Sequence, residues 1–336
     1  MLIGKNRLYQ SKISLLEHPV GRMPRIILLI VLALTGCGRD GPPEPTIVRR
    51  IPLQTSDAVS LGLTGNHFWV SGREGIVRLD SAGTPGRSLE LRGGAEILGH
   101  VDGRVLLRLD SNFAVIDQAT DSVTIGRGTE EADDIVVDPW GRFIFESAQD
   151  GAITAYDPKT LAPVWGWGSV GGPAEGIAVS TEGHRLYEAV TPEDGPSRLL
   201  VRDLQTGRVL REIELSGPVR GMVTSTAGTI YTVDGGDGGD AGVAAYGWSE
   251  GIPTERWRTG LGGVDPSIET RLRIAPNGQL LAVLTPGNEQ GLHILDAETG
   301  ELIAQSRGPA QDVAFGVGGR ILLLTAGEIR QLELDQ

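Results

Sequence analysis

Two repeated features of the sequence predict an all-β protein, a seven-bladed β-propeller of four-stranded antiparallel blades. A tight-turn glycine recurs seven times along the chain, and an aspartate at the end of an apolar strand recurs five times. In addition, no stretch after residue 45 keeps a helical apolar period for long, and 49 of the 336 residues are glycine. This composition and the short apolar runs argue against an all-helical fold.

The first element, residues 1–36, is predicted to be a signal peptide of the lipoprotein type. Nine apolar residues, Ile26 to Leu34, follow two arginines. As a helix they would span only ~14 Å, about half of a bilayer core. A basic lead-in, a short apolar core and then small residues are typical of a secretory signal. Met23 is an alternative start, because the segment that follows it already forms a complete signal.

The only cysteine of the chain, Cys37, comes directly after this segment. The tetrapeptide Leu34-Thr35-Gly36-Cys37 resembles a bacterial lipobox. The resemblance implies that Cys37 is lipidated and becomes the first residue of the mature chain, with residues 37–45 as its tether. It also implies an extracytoplasmic location and, in a Gram-negative cell, Gly38 after the cysteine favours the outer membrane. Because no second cysteine is present, no disulfide within the chain can stabilise the domain.

The charge of the remaining chain excludes one class of partner. After position 36 it contains 25 basic and 42 acidic residues, a net charge of −17. Such a surface repels the phosphates of nucleic acids and anionic lipid headgroups. We therefore expect no nucleic-acid partner. The lipid, rather than a basic patch, would hold the protein at the membrane. The protein is predicted to be a monomer.

The turn glycines set the repeat length. Each lies between two short apolar runs, as in "DIVVD-PWGR-FIFES", a pattern typical of a β-hairpin in which glycine supplies a positive φ. Their spacings are 38, 38, 42, 45, 50 and 41 residues. The seven glycines are Gly65, Gly103, Gly141, Gly183, Gly228, Gly278 and Gly319.

The recurring aspartates add two further strands to each hairpin. An aspartate at the end of a third strand can accept a hydrogen bond from its own backbone two residues on, and so close the turn into a fourth strand. A four-stranded unit cannot bury both of its faces alone, but radially packed copies can. The five aspartates are Asp80, Asp117, Asp157, Asp203 and Asp296.

The last unit is one strand short, because the chain ends just after its third strand, "EIRQLELDQ". A spare strand, Thr46 to Gln54, precedes the first hairpin. Pairing of these two strands would complete the last blade and close the ring. Residues 46–336 are therefore predicted to be a single propeller domain.

Several units resemble known propeller repeats. "RLRIAPNGQLLAVLT…LHILDAETGELIAQSRG" is similar to YVTN-type bacterial repeats, and "ADDIVVDPWGRFIFESAQDGAITAYDP" is similar to an NHL repeat. The resemblance covers the whole domain and implies the propeller fold. Its motifs are structural and occur in proteins of many functions, so it implies no particular activity.

The residues just before each first strand are predicted to surround the mouth of the central channel. Their carboxylates could hold a divalent cation such as calcium, and their arginines could bind a carboxylate or phosphate. Alternatively, each side chain caps backbone amides or pairs with the next blade. Counting seven to eight residues back from each turn glycine gives Asp57, Glu96, Asp134, Glu175, Arg220, Arg271 and Asp312.

One short resemblance favours metal binding at this mouth. "PAEGIAV" around Glu175 resembles the Glu-Gly of metal-dependent gluconolactonase-like propellers, in which a carboxylate at this blade position is a ligand. Such a site also contains asparagines, and no equivalent asparagines can be identified in this sequence. No metal is therefore assigned.

The longest insertions, 191–197, 234–242, 260–270 and 285–291, fall in blades four to six on the predicted mouth face. Loops on a rigid scaffold commonly carry binding function. No G-x-S-x-G, H-E-x-x-H or phosphate-binding glycine loop is present, and no catalytic residue is assigned. We therefore predict a membrane-anchored scaffold that binds an envelope protein or peptide. The alternatives are a metal-dependent lactonase or hydrolase at the mouth, and a purely structural envelope component.

Two smaller features carry their own predictions. Asp234, Asp237 and Asp240 are predicted to lie in a flexible acidic loop, because their spacing fits neither calcium-binding loop type. Trp165 and Trp167 alternate along an outer strand, so both indoles share one face. They are predicted to pack between blades rather than to form a carbohydrate platform.

Overall fold

The chain forms seven four-stranded antiparallel sheets in a computed structural model. The structure describes residues 42–334, except 54–56, 65–66, 74, 92–94, 110–111, 129–131, 169–171, 181, 183, 194, 236–240, 263, 266–269, 286–290, 307 and 317–319. The signal segment, Cys37 and the turn glycines Gly65, Gly183 and Gly319 therefore lie outside the described residues. Within the described part of the chain, no helix is long and apolar enough to cross a membrane.

The strands follow one another in a regular order. The first is β1 (Thr46–Pro52). Blade 1 contains β2 (Ala58–Thr64), β3 (His67–Gly72), β4 (Gly75–Leu79) and β5 (Pro85–Glu90). Blade 2 contains β6 (Glu96–Val101), β7 (Arg104–Leu109), β8 (Asn112–Asp117) and β9 (Val123–Arg127). Blade 3 contains β10 (Ala132–Val137), β11 (Ile144–Ala148), β12 (Ile153–Tyr156) and β13 (Pro163–Trp167).

The second half of the chain repeats this order. Blade 4 contains β14 (Ala174–Val179), β15 (Arg185–Val190), β16 (Arg198–Asp203) and β17 (Val209–Glu214). Blade 5 contains β18 (Val219–Thr224), β19 (Ile230–Gly235), β20 (Ala241–Ser249) and β21 (Ile252–Gly260). Blade 6 contains β22 (Arg271–Ile274), β23 (Leu280–Leu284), β24 (Leu292–Asp296) and β25 (Leu302–Ser306). Blade 7 contains β26 (Asp312–Phe315), β27 (Ile321–Thr325) and β28 (Glu328–Glu333) together with β1.

The first strands of the blades form a closed ring. Each of β2, β6, β10, β14, β18, β22 and β26 contacts the first strand of both neighbouring blades. The ring surrounds a central channel, and the fold is the predicted seven-bladed β-propeller. We call the end at which the first strands begin the loop face and the opposite end the turn face.

The N-terminal strand lies in the same sheet as the C-terminal strand. β1 pairs antiparallel with β28, with Thr46 opposite Glu333 and Pro52 opposite Glu328. It is the outermost strand of blade 7, whose order is β1-β28-β27-β26. Blade 7 therefore combines the two ends of the domain.

The hydrophobic core lies between the blades. The second strands are mostly buried, as in β27, where all five residues are buried. The outer strands are less buried, as in β9, where three of five residues are exposed. Burial of each large aliphatic side chain contributes about 1.5–3 kcal/mol, so the packing between blades supplies most of the stabilisation.

The predicted aspartate turns are present in five blades. Asp80, Asp117, Asp157, Asp203 and Asp296 each accept a hydrogen bond from the amide two residues on, at 2.8 to 3.1 Å. Hydrogen bonds from the turn amides lower the pKa of the Asp80, Asp117 and Asp157 carboxyls. The turns therefore hold these aspartates in the ionised form.

Each of these turns contains one residue with a positive φ, and that residue lies against a residue of the preceding blade. A Cβ atom on Gly207 or Gly300 would overlap the indole of Trp167 or Trp257. In blade 3 the large residue is in the turn and the glycine is in the preceding blade. Leu161, with φ 54°, faces Gly126. The full set of pairs is Gly83 with Ile51, Asp121 with Arg87, Leu161 with Gly126, Gly207 with Trp167, and Gly300 with Trp257.

The two tryptophans of β13 pack as predicted. The ring centroids of Trp165 and Trp167 are 4.5 Å apart. Trp165 also contacts the rings of Phe143 and Phe145 at 5.5 and 5.6 Å. Both indoles belong to the hydrophobic cluster between blades 3 and 4, so the carbohydrate-platform alternative finds no support.

A buried histidine in blade 6 predicts a pH dependence of stability. Burial lowers the pKa of His293 from 6.5 to about 4. The unfolded chain therefore binds more protons between these two values. Stability is complete above pH ~6.5 and falls by up to about 3 kcal/mol as the pH drops through this window. We expect His293→Leu to flatten this part of the urea-unfolding profile, and an unchanged profile in the variant would contradict the assignment.

Candidate functional site

One residue of each first strand lies at the channel mouth, and we call it the mouth position. The residue that follows it in the chain is apolar. At three of these positions, a side chain of one blade accepts a hydrogen bond from a backbone amide of the next blade. The amide of Leu61 donates to Asp312 Oδ2 at 2.9 Å, and the amide of Ile97 donates to Ser60 Oγ at 3.0 Å. The seven mouth positions are Ser60, Glu96, Asp134, Gly176, Gly221, Arg271 and Asp312.

Asp312 links blade 7 to blade 1 at this mouth. Its side chain is fully buried. Oδ2 accepts hydrogen bonds from the Leu61 amide and the Ser60 hydroxyl, both at 2.9 Å. Oδ1 accepts one from the Val313 amide at 2.9 Å. Both carboxylate oxygens are therefore engaged within the fold.

Asp134 plays the same part between blades 3 and 4. Oδ2 accepts a hydrogen bond from the Ile177 amide at 3.0 Å, and Oδ1 accepts one from the Ile135 amide at 2.8 Å. Burial of the carboxyl raises the pKa of Asp134, and the nearby Glu96 carboxylate raises it further. Two amide hydrogen bonds act in the opposite direction.

An arginine extends across the channel. Arg271 of blade 6 lies 3.8 Å from Glu96 Oε1 of blade 2 and 4.0 Å from Asp312 Oδ2 of blade 7. Arg273, two residues further along the same strand, lies 3.8 Å from Asp312 Oδ1. Positive charge therefore balances the carboxylates inside the mouth.

Three of the predicted mouth residues lie outside this ring. Glu175 and Arg220 each precede a mouth position by one residue, at register shifts in β14 and β18. They pair with each other at 3.1 Å, and the Arg220 side chain is 42% exposed. Asp57 precedes β2, whose own register shift lies between Ala58 and Ser60.

The sequence prediction missed Ser60. In blades 2 to 7 the mouth position is the seventh residue before the turn glycine, whereas in blade 1 it is the fifth. A count of eight residues in blades 4 and 5 gave Glu175 and Arg220 in place of Gly176 and Gly221. A polar or glycine residue directly before the first apolar residue of the strand would have been the better signal.

The mouth offers backbone-binding carboxylates rather than a cluster of free oxygen ligands. Among the described residues, no group of three or more His, Cys, Asp or Glu side chains is arranged to hold a metal ion. Calcium or another divalent cation at this mouth therefore remains a sequence-based prediction without support from the described geometry.

The prediction that Asp234 lies in a flexible acidic loop is wrong. Asp234 belongs to β19 and is fully buried. Its carboxylate accepts two hydrogen bonds from Arg258 Nη1, at 2.6 and 2.7 Å, and burial raises its pKa. Asp237 and Asp240 lie outside the described residues.

The connections on the loop face differ strongly in length. Between the second and third strands, blades 1, 2 and 7 use residues 73–74, 110–111 and 326–327. The corresponding connections of blades 4, 5 and 6 span 191–197, 236–240 and 285–291. The connection from blade 5 to blade 6, 261–270, lies on the same face. These four connections, which we call the long loops, are adjacent in the ring.

The role of Asp312 in closing the ring gives a stability prediction. Replacement by alanine removes the acceptor for three buried donors, each of which costs about 1–3 kcal/mol when left unsatisfied. We expect Asp312→Ala to lose at least about 3 kcal/mol in the free energy of unfolding. Glu175→Ala, which breaks an exposed ion pair, should cost about 1 kcal/mol or less. Equal losses in urea unfolding would refute the structural role of Asp312.

Comparisons with known proteins support the fold alone. No model of a protein family matches the chain, and no curated protein sequence matches it. A solved structure of Kuenenia stuttgartiensis hydrazine synthase matches with a TM-score of 0.67 at 12% sequence identity. The match covers 85% of this chain and 98% of that one. The likeness shows a shared propeller fold and carries no activity over to this chain.

Proposed function

We propose that this protein is a lipid-anchored, extracytoplasmic propeller that binds another protein or a peptide of the cell envelope. The observation that carries the proposal is the clustering of the long loops on one side of the loop face. A rigid ring that carries several long connections at adjacent positions is well suited to bind a partner.

The chemistry of the channel mouth supports placing the partner on the loops. The carboxylates of Asp134 and Asp312 accept hydrogen bonds from buried amides, and Arg271 lies between two acidic side chains. A ligand at these groups would have to displace contacts that hold neighbouring blades together. The loops can bind a partner without such a cost.

The proposed cellular setting follows from the N-terminal sequence. Lipidation of Cys37 would place the domain outside the cytoplasm, at the periplasmic side of the outer membrane in a Gram-negative cell. The net charge of −17 after position 36 disfavours nucleic acids as partners. The partner is then an envelope protein or peptide, bound by a monomeric propeller.

Photo-crosslinking in cells tests the binding face. A photoreactive amino acid at Glu193, an exposed residue of a long loop in blade 4, is expected to capture a discrete partner. The matched control is Glu182, an exposed glutamate on the turn face of the same blade. Capture at Glu182 with none at Glu193 would contradict the proposed face. Shortening 191–197 to the two-residue length found in blade 1 should abolish the crosslink.

The anchor has its own test. Cys37→Ser should leave the protein unprocessed or release it from the membrane fraction, because no other residue of the chain can accept the lipid in its place. Fractionation and the mass of the mature N-terminus provide the readout. Unchanged membrane retention of the variant would refute lipidation at Cys37.

A further inference from the structure

We propose that the protein rests on the lipid surface through β1, the outer strand of blade 7, so that the rim of the propeller faces the membrane. This inference rests on the proposed lipidation of Cys37. The anchored domain would have a defined orientation, in which the lipid surface covers the exposed strand β1.

The tether runs past the outer strand of blade 6. The carbonyl of Pro43 accepts a hydrogen bond from the Gln305 amide of β25 at 3.1 Å. The tether thus touches the outer strand of blade 6 before it enters β1 at Thr46. Prolines at 42, 43 and 45 fix φ and stiffen this segment. Cys37 is five residues from Pro42, a distance of at most ~18 Å for an extended chain, so the rim near blades 6 and 7 must lie close to the bilayer.

The surface of β1 is open to solvent and partly apolar. Six of its seven residues are exposed. Ile47 and Val48 are 37% and 44% exposed, and a register shift separates Ile47 from Arg49 in the pairing with β28. The other edge of β1 pairs with no strand among the described residues. An open edge with exposed apolar side chains offers a surface that a lipid bilayer can cover.

The charges on the rim around β1 balance one another. The Arg49 guanidinium donates to the carbonyls of Ser81 and Ala82 at 3.0 and 2.7 Å. Arg50 and Arg330 both pair with Glu328, at 2.5 and 2.6 Å. With the exposed Glu44 and Glu333, three arginines balance three glutamates. This neutral rim contrasts with the net charge of −17 after position 36, so anionic headgroups repel it less than the rest of the surface.

The orientation has a functional consequence. Because the outer strands form the side wall of the ring, contact through β1 directs the channel axis along the membrane plane. The loop face then points sideways, and the long loops stay accessible to a partner in the envelope. The rest of the domain, which carries the net negative charge, is held away from the headgroups.

Site-specific fluorescence on the lipidated full-length protein tests the proposal. With Cys37 acylated in the producing cell, one added cysteine can be labelled selectively with an environment-sensitive fluorophore. Val48→Cys probes β1. Ile125→Cys is the matched control, because it is a β-branched residue with 40% exposure on β9, the outer strand of blade 2. The proteins are reconstituted in phosphatidylethanolamine–phosphatidylglycerol vesicles with brominated acyl chains.

We expect brominated lipid to quench the label at position 48 several-fold more than the label at 125. Equal quenching in vesicles that carry the acylated protein would overturn the orientation and leave the anchor intact. A protein that is not acylated by mass and does not float with vesicles would refute the anchor and the orientation together. A dimer by light scattering, with the label at 48 shielded before vesicles are added, would show that a second copy covers β1 and would also overturn the proposal.

Discussion

Gly207→Ala is expected to destabilise the protein by about 2–5 kcal/mol. Gly207 has φ 68°, and an added Cβ would overlap the indole of Trp167 from the preceding blade. The positive φ costs about 1–2 kcal/mol for an L-residue, and overpacking of a filled interface costs about 1–3 kcal/mol more. Urea unfolding monitored by circular dichroism provides the measurement.

Gly228→Ala is the matched control for this substitution. Gly228 has φ 79°, but no atom lies within 4 Å of an added Cβ. The control should therefore lose only the conformational part, about 1–2 kcal/mol. A double-mutant cycle with Trp167→Ala should recover part of the cost of Gly207→Ala, because the smaller side chain leaves room for the methyl group. Equal losses for the two glycines, with no coupling to Trp167, would show that the pair does not determine how blades 3 and 4 pack.

Arg202→Met is expected to destabilise the protein by about 3–5 kcal/mol. Arg202 Nε lies 2.6 Å from Glu188 Oε2, and the two side chains are 3% and 0% exposed. Nη1 of Arg202 also donates to the Gly207 carbonyl at 3.0 Å. Without the arginine, the carboxylate of Glu188 would be buried with no positive charge beside it.

The same strand supplies the control for the buried pair. Arg198 of β16 pairs with Glu212 at 2.8 Å, with both side chains about as exposed as typical surface residues. Arg198→Met should cost about 1 kcal/mol or less. The double variant Glu188→Leu/Arg202→Met should regain most of the stability lost by Arg202→Met alone. A double variant as unstable as the single one would contradict the assignment.

The pH dependence of Arg202→Met gives an independent check on its mechanism. Burial already raises the pKa of Glu188, and Arg202 lowers it. Loss of the arginine should raise that pKa further, so the folded variant binds a proton more readily than the unfolded chain. Its deficit in stability should then shrink as the pH is lowered from neutral towards the pKa of Glu188.

The sequence predicted the number of blades because each repeat carries its own local signals. The glycine turns and the aspartate turns depend on residues close together in the chain, such as Asp203 and the amides that follow it. The position of Ser60 could not be predicted in the same way. In blade 1 it lies five residues before Gly65, whereas the other mouth positions lie seven residues before their turn glycines. In blades 4 and 5 the mouth position is a glycine, which has no side chain to indicate it.

The contacts between distant blades were also beyond sequence reasoning. Arg271 lies near Glu96 only because closure of the ring brings blades 6 and 2 to opposite sides of one narrow channel. The burial of Asp234 was beyond sequence reasoning for a different reason. Its partner Arg258 comes close to it only when β19, β20 and β21 pair within one blade. Its glycine-rich surroundings indicated a loop, whereas β19 continues through Asp234 to Gly235 and Arg258 pairs with the Asp234 carboxylate.

The most direct test of the binding-scaffold proposal concerns the carboxylates of the channel mouth. Purified protein stripped of metals would be titrated with calcium, magnesium, manganese and zinc by calorimetry, beside a Glu96→Gln/Asp134→Asn variant. Because these carboxylates are engaged with amides and arginines, we predict no micromolar binding in either protein. Micromolar binding in the native protein that is lost in the variant would contradict this prediction, and would favour a metal-dependent lactonase or hydrolase at the mouth.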